Sequence, residues 1–213
     1  MLNPDDFIIT RKRKKYKFAK FANSPLCFEF DEWQKQKVDT IEIGAGDGLF
    51  CVELAARYPD MQFVALDVKG DRLQKGAYEA ELRGLRNVRF VRARADQILE
   101  LFDAAMAMRI WVTFADPFPR TRSAARRLTH PAFLARYRDL LRTDGELLIK
   151  HDNRDFFHWS LEQLVAQEWR ITELSFDLHE SLLSDEYKIQ TTYEQRWIRE
   201  GLVTNFAKAC KNE

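Results

Sequence analysis

The feature that most constrains this fold is the regular exchange of two hydrophobic periods between Asp39 and Lys150. Short β-branched or aromatic runs alternate there with longer stretches of helical spacing, which is the pattern of a mostly parallel sheet with helices on both faces. Strands are predicted near Thr40 to Ile43, Gln62 to Asp67, Val88 to Arg92, Arg109 to Phe114 and Glu146 to Lys150. Helices are predicted over Asp47 to Arg57, Gly70 to Arg83 and Pro131 to Leu141, the first placing Phe50, Leu54 and Tyr58 on one face. Thr143, Asp144 and Gly145 read as the turn into the fifth strand. Beyond Lys150 a helix is expected over Phe156 to Ala166. Two alternating segments then follow, Trp169 to Leu178 and Thr191 to Ile198, expected to pair as an antiparallel hairpin at one edge of the sheet. A chain of 213 residues, 46% hydrophobic, has room for one substantial core. The class is therefore α/β, with one domain over residues 36–213 preceded by a basic extension over residues 1–35.

Several classes of protein are disfavoured. No apolar run approaches the roughly 20 residues needed to span a bilayer, and the first residues do not resemble a signal peptide, so a cytoplasmic protein without a membrane partner is expected. Cys27, Cys51 and Cys210 are widely spaced and near no histidine that would complete a metal site, so no metal is expected. The four histidines, His130, His151, His158 and His179, show no ligand spacing and read as ordinary helix or loop residues. The net charge is only +1, yet seven of the ten residues from Arg11 to Lys20 are basic, with Tyr16 and Phe18 interleaved. Such a block neutralises phosphates, although read alone it fits a solvated arm equally well. A second cluster, Arg120, Arg122, Arg126 and Arg127, turns the balance towards a polyanion.

The run from Thr40 to Gly48, T-I-E-I-G-A-G-D-G, sets Gly44, Gly46 and Gly48 directly between a strand and a helix. Backbone without side chains lets a cofactor lie against such a turn, and the turn itself needs dihedrals that other residues resist. The dinucleotide pattern G-x-G-x-x-G would need its third glycine where Leu49 stands. Glu42 precedes the turn. Asp67 ends the second strand roughly 20 residues on, where a carboxylate can accept both hydroxyls of a ribose. Asp96 follows the third strand, and its type and position also suit a helix N-cap. The fourth strand ends in F-A-D-P-F-P-R, and Pro117 keeps Asp116 out of the helical region, at the edge where ligands bind in such sheets.

Glu42, the three glycines and Asp67 together resemble the E-x-G-x-G-x-G motif and acidic second strand of class I S-adenosylmethionine-dependent methyltransferases, which have a Rossmann-like fold. Within that group the chain resembles the tRNA (guanine-N7)-methyltransferases. Their pattern F-x-D-P-W-P-K with a later R-R-L is matched by Phe114, Asp116, Pro117, Phe118, Pro119, Arg120, Arg126, Arg127 and Leu128. Asp152 matches an acid after the fifth strand, and Thr191, Thr192, Tyr193 and Glu194 match T-x-[FY]-E. Phe118 and Arg120 depart from the usual tryptophan and lysine. The resemblance implies S-adenosylmethionine held by Glu42, Gly44, Gly46, Gly48, Asp67, Asp96 and Asp116. It implies tRNA as partner, bound through Arg120, Asp152, Thr191, Thr192, Tyr193 and Glu194, and methyl transfer to a guanosine N7 in the variable loop. The sequence leaves monomer and homodimer both open.

Guanine N7 carries a free lone pair and no proton, so positioning and electrostatics must supply the catalysis. Asp116 is the expected catalytic residue, an acceptor for the N1 and amino donors of guanine, with Phe118 as a stacking surface. Arg122, Arg126, Arg127 and the basic arm are expected on phosphates. Transfer to another RNA base or to a protein side chain, and an inactive RNA-binding scaffold, are the alternatives. All of this requires the first, second and fourth strands of the pattern to end around one open crevice.

Overall fold

The computed structural model describes residues 1–3, 5, 12–190 and 192–212, with the backbone alone at 12, 13, 192, 193 and 196. Helix α1 (Lys12–Asn23) and strand β1 (Cys27–Glu29) come first. The alternating segment follows as β2 (Thr40–Ile43), α2 (Leu49–Arg57), β3 (Phe63–Asp67), α3 (Gly70–Leu82), β4 (Val88–Arg92), α4 (Ile98–Leu101) and β5 (Ala107–Thr113). After a 3-10 segment at Thr121–Arg126 come α5 (Pro131–Leu140), β6 (Leu141–His151), α6 (Arg154–Ala166), β7 (Trp169–Ser175), α7 (Thr192–Arg199) and β8 (Asn205–Lys211).

The strands form one sheet in the order β1-β4-β3-β2-β5-β6-β8-β7. Neighbours from β1 to β6 run parallel, while β8 is antiparallel to both β6 and β7. The period of two sorts the side chains into two cores. Ile41, Ile43, Val64, Leu66, Ile110 and Val112 face α4, α5 and α6. Phe63, Ala65, Trp111, Leu148 and Phe206 face α1, α2 and α3. Each large apolar side chain withdrawn from water in this way contributes about 1.5–3 kcal/mol. From β2 the chain moves outward through β3 and β4, and from β5 it moves the other way. The carboxyl ends of β2 and β5 thus flank the point where strand order reverses, and loops diverging from that point leave a crevice.

Two expectations need correction. Trp169–Ser175 is a strand at the edge, but its antiparallel partner is Asn205–Lys211; the segment read as the second arm of the hairpin is helix α7. Alternation and helical spacing are hard to separate over eight residues, and β8 shows no alternation because Phe206, Ala207 and Ala209 are all buried. The stretch read as an extension outside the core also contributes to it. Phe21, Leu26 and Trp33 are buried, β1 pairs with β4, and α1 packs against α3. Arg92 lies 5.1 Å over the Phe18 ring and Lys20 lies 5.6 Å over the Tyr78 ring of α3, so one aromatic and one basic side chain of α1 both dock the helix. Arg11 lies outside the described residues. The turn at Thr143 to Gly145 is a bulge within β6: the pairing steps from Ala107–Leu141 to Arg109–Glu146. No helix among the described residues is long and apolar enough to cross a membrane.

Candidate active site

The crevice is a cavity of about 760 Å³ at the carboxyl edge of β2, β3 and β5. Its wall on the β2 side is the glycine turn, where Gly44, Gly46 and Gly48 have φ of 73°, 59° and 72°. A side chain at Gly46 would project into open space, whereas one at Gly48 would strike Phe90 at 2.6 Å. Gly44 and Gly46 line the cavity and Gly48 does not. Gly48 thus lets α2 start close against Phe90 of β4.

Asp67 lies across the turn from Gly46. Its Oδ2 accepts the Gly46 N–H at 2.9 Å and its Oδ1 accepts the Lys69 N–H at 2.8 Å. Burial nevertheless pushes its carboxyl above the ordinary value. Glu42, 1% exposed, accepts the Thr113 hydroxyl at 2.6 Å through Oε1, while Oε2 is buried without a partner among the described residues. Burial pushes this carboxyl up to about 8. Asp96 lines the cavity and is gripped by Arg94, which holds its carboxyl below the usual range. It is not a helix cap: Arg94 occupies that place, its backbone N–H donating to the Gln97 side chain at 3.1 Å.

The opposite wall is the Asp-Pro loop and the end of β6. Asp116 is exposed, lines the cavity and has no hydrogen-bond partner among the described residues. Phe114 and Phe118 flank it at φ of 48° and 41°. Left-handed backbone at two bulky residues persists only where surrounding contacts hold it. Those contacts are visible: the Phe114 N–H donates to the Lys150 carbonyl at 2.9 Å, the His151 ring donates to the Ala115 carbonyl at 2.8 Å, and Arg127 donates to the carbonyls of Pro117 and Phe118. Arg127 also lies 4.3 Å over the Trp159 ring. It therefore pins the loop through Nε and Nη2. Arg126 is exposed and lies 4.4 Å over Phe118. Arg120 is exposed but does not line the cavity, whereas Asp152 does.

Glu194 departs from its expected role. It is 0% exposed and does not line the cavity. Its oxygens meet Lys150 Nζ at 2.9 Å, His179 Nε2 at 2.8 Å and the Thr204 hydroxyl at 3.1 Å. Lys150 is also 0% exposed and donates to the Ile189 carbonyl at 2.8 Å. Burial pushes its ammonium below the ordinary range, with Glu194 and Glu42 opposing. The acid of T-x-Y-E is thus the buried anchor of α7 rather than a surface for substrate. Thr191 lies outside the described residues, as do the side chains of Thr192 and Tyr193. One turn beyond Glu194, Trp197 lines the cavity, and so do His151 and Asn153. None of these three is expected there from the sequence. The signal for Trp197 is its spacing of three from Glu194, legible only once the segment is known to be helical. Among the described residues no group of His, Cys, Asp and Glu could hold a metal ion.

A family model described as "Putative methyltransferase" matches residues 36–206. The chain is 36% identical over 188 residues to the tRNA (guanine-N(7)-)-methyltransferase of Brevibacillus brevis, covering 86% of this chain and 87% of that protein. It is 38% identical over 171 residues to the tRNA (guanine-N(7)-)-methyltransferase of Cytophaga hutchinsonii, with 79% and 77% covered. To that of Bacteroides thetaiotaomicron it is 32% identical over 216 residues, with 92% and 85% covered. Among solved structures, the 16S rRNA methyltransferase KamB superposes with a TM-score of 0.62 at 16% identity, covering 84% of this chain and 90% of that one. The 16S rRNA (adenine(1408)-N(1))-methyltransferase from Catenulisporales acidiphilia gives 0.59 at 14% identity, covering 100% and 95%. At these identities the structural likeness concerns the fold alone.

Proposed function

Since the chain belongs to the tRNA (guanine-N(7)-)-methyltransferase family, we propose that it transfers the methyl group of S-adenosylmethionine to N7 of a guanosine in the variable loop of tRNA. The observation that carries this reading is one open cavity with Gly46, Asp67 and Glu42 along one wall and Asp116 and Asp152 along the other. The residues present fit the cofactor. Gly46 leaves room against bare backbone, Asp67 offers carboxylate oxygens for ribose hydroxyls, and the Glu42 Oε2, buried and unpartnered among the described residues, suits an ammonium, which would favour its ionised form. Bound there, the cofactor supplies an electrophilic methyl group on a sulfonium.

The protein's task is then to hold the acceptor. Neutral guanine needs no base to free its N7 lone pair, so the contribution sought is alignment, worth several orders of magnitude in effective concentration. Asp116 accepts the N1 and amino hydrogens of guanine, and its charge offsets the positive charge that grows on the ring. Phe118 and Trp197 line the cavity and provide aromatic faces for a base drawn out of its stack. The exposed Arg122 and Arg126, with the lysines of α1, meet phosphates.

The test is incubation of the chain with labelled S-adenosylmethionine and unmodified tRNA, followed by cleavage chemistry specific for 7-methylguanosine. Label at a single variable-loop guanosine is expected. Label on another base, or none, overturns the reading. Asp116→Asn should bind the cofactor as the parent does and lose turnover.

A further inference from the structure

The two carboxylates that face the acceptor side of the cavity sit on different loops, and one side chain joins those loops. His151, at the last position of β6, is 3% exposed. Its Nε2 lies 2.8 Å from the Ala115 carbonyl oxygen, which can only accept, so Nε2 carries the proton. Its Nδ1 lies 2.8 Å from the Asn153 N–H, which can only donate, so Nδ1 presents a lone pair. The partners therefore impose the neutral ring with its proton on Nε2. Asp152 Oδ1 is 3.2 Å from the same Nδ1.

Both hydrogen bonds fall one residue from a cavity-lining carboxylate: Ala115 precedes Asp116 and Asn153 follows Asp152. The ring is itself fixed. It packs on Phe156 at 4.4 Å between centroids, while the Asn153 side chain accepts the Phe156 N–H at 2.8 Å and caps α6. Its own carbonyl accepts from the Asn205 side chain at 2.9 Å. The Ala115 bond holds the middle of a segment whose flanks, Phe114 and Phe118, are in the left-handed region. Such a segment relaxes when a restraint is removed.

We infer that His151 is a positioning residue: acting through the backbone of Ala115 and Asn153, it sets where Asp116 and Asp152 stand relative to one another across the cavity. This rests on the reading of Asp116 proposed above. It assigns His151 no contact with substrate and no part in proton transfer.

The test uses the full chain with S-adenosylmethionine and unmodified tRNA. His151→Phe keeps an aromatic ring on Phe156 and loses both hydrogen bonds. Its kcat should fall by about 10- to 100-fold, while the Kd for S-adenosylmethionine measured without tRNA stays within about threefold of the parent. His151→Gln returns a donor near the Nε2 position and should recover much of the rate. His151→Asn returns only an acceptor near the Nδ1 position and should recover less. Parental kcat in His151→Phe overturns the inference, as does a cofactor Kd that rises in step with the loss of rate. If His151→Phe does not fold, the two amide variants decide, and equal losses in both overturn it. Asp116→Asn is the control. Full turnover in that variant defeats the reading of Asp116, and the inference with it. An inactive Asp116→Asn beside a fully active His151→Phe defeats the inference alone.

Discussion

Glu42 shows how a single residue can be legible as a site and illegible in its state. The strand-to-turn position is plain from the sequence, but its protonation depends on burial beside Thr113, which only the packed sheet supplies. With an ordinary value of 4.5 and a folded value of about 8, the folded chain keeps a proton that the unfolded chain releases. Stability is therefore lost as pH rises between those two values, by ~1.4 kcal/mol for each pH unit crossed. Glu42→Gln, without cofactor, should melt higher than the parent at pH 8, with the gap closing towards pH 5; equal melting at pH 8 would mean that the carboxyl is not strained by burial. Gly46 separates folding from binding in the same way. Alanine there meets no protein atom and costs only the left-handed backbone, about 1 kcal/mol. Gly46→Ala should accordingly lose little in melting temperature and much in S-adenosylmethionine affinity, both readable by calorimetry.

At the scale of elements, α7 is the instructive case. Its sequence fits a strand nearly as well as a helix, and the buried Lys150–Glu194 pair ties the segment to β6. Removing one partner of a buried ion pair leaves an uncompensated charge, at a cost of about 3 kcal/mol. Glu194→Ala should show that loss in denaturant unfolding and should expose residues near 190–200 to protease. Lys150→Met combined with Glu194→Leu should recover most of it. A single variant as stable as the parent would show that the pair does not anchor the helix. The basic first helix is hard to read for a related reason. Lysines dominate its composition, but Phe18, Ala19 and Phe21 are spaced to pack on α3, and β1 is too short to show any period.

Across the whole molecule, a net charge of +1 conceals an uneven distribution, with Arg122 and Arg126 of the 3-10 segment exposed and basic α1 packed against α3. Affinity for tRNA should fall steeply with salt. Replacing both Arg122 and Arg126 by alanine should reduce the slope of log K against log salt by about 2. An unchanged slope would remove both from the phosphate contacts. The parallel sheet, the glycine turn and the placing of Asp67 and Asp116 at one edge were all determined by the sequence alone. They follow from local hydrophobic period and from glycine and proline dihedrals, each carried by neighbouring residues. Only the tertiary structure decided that Glu194 is an anchor, that Arg127 pins a loop, and that His151 joins two carboxylate-bearing turns. Each of those roles depends on partners far along the chain, and burial and hydrogen-bond geometry between distant segments leave no periodic trace in the residues themselves.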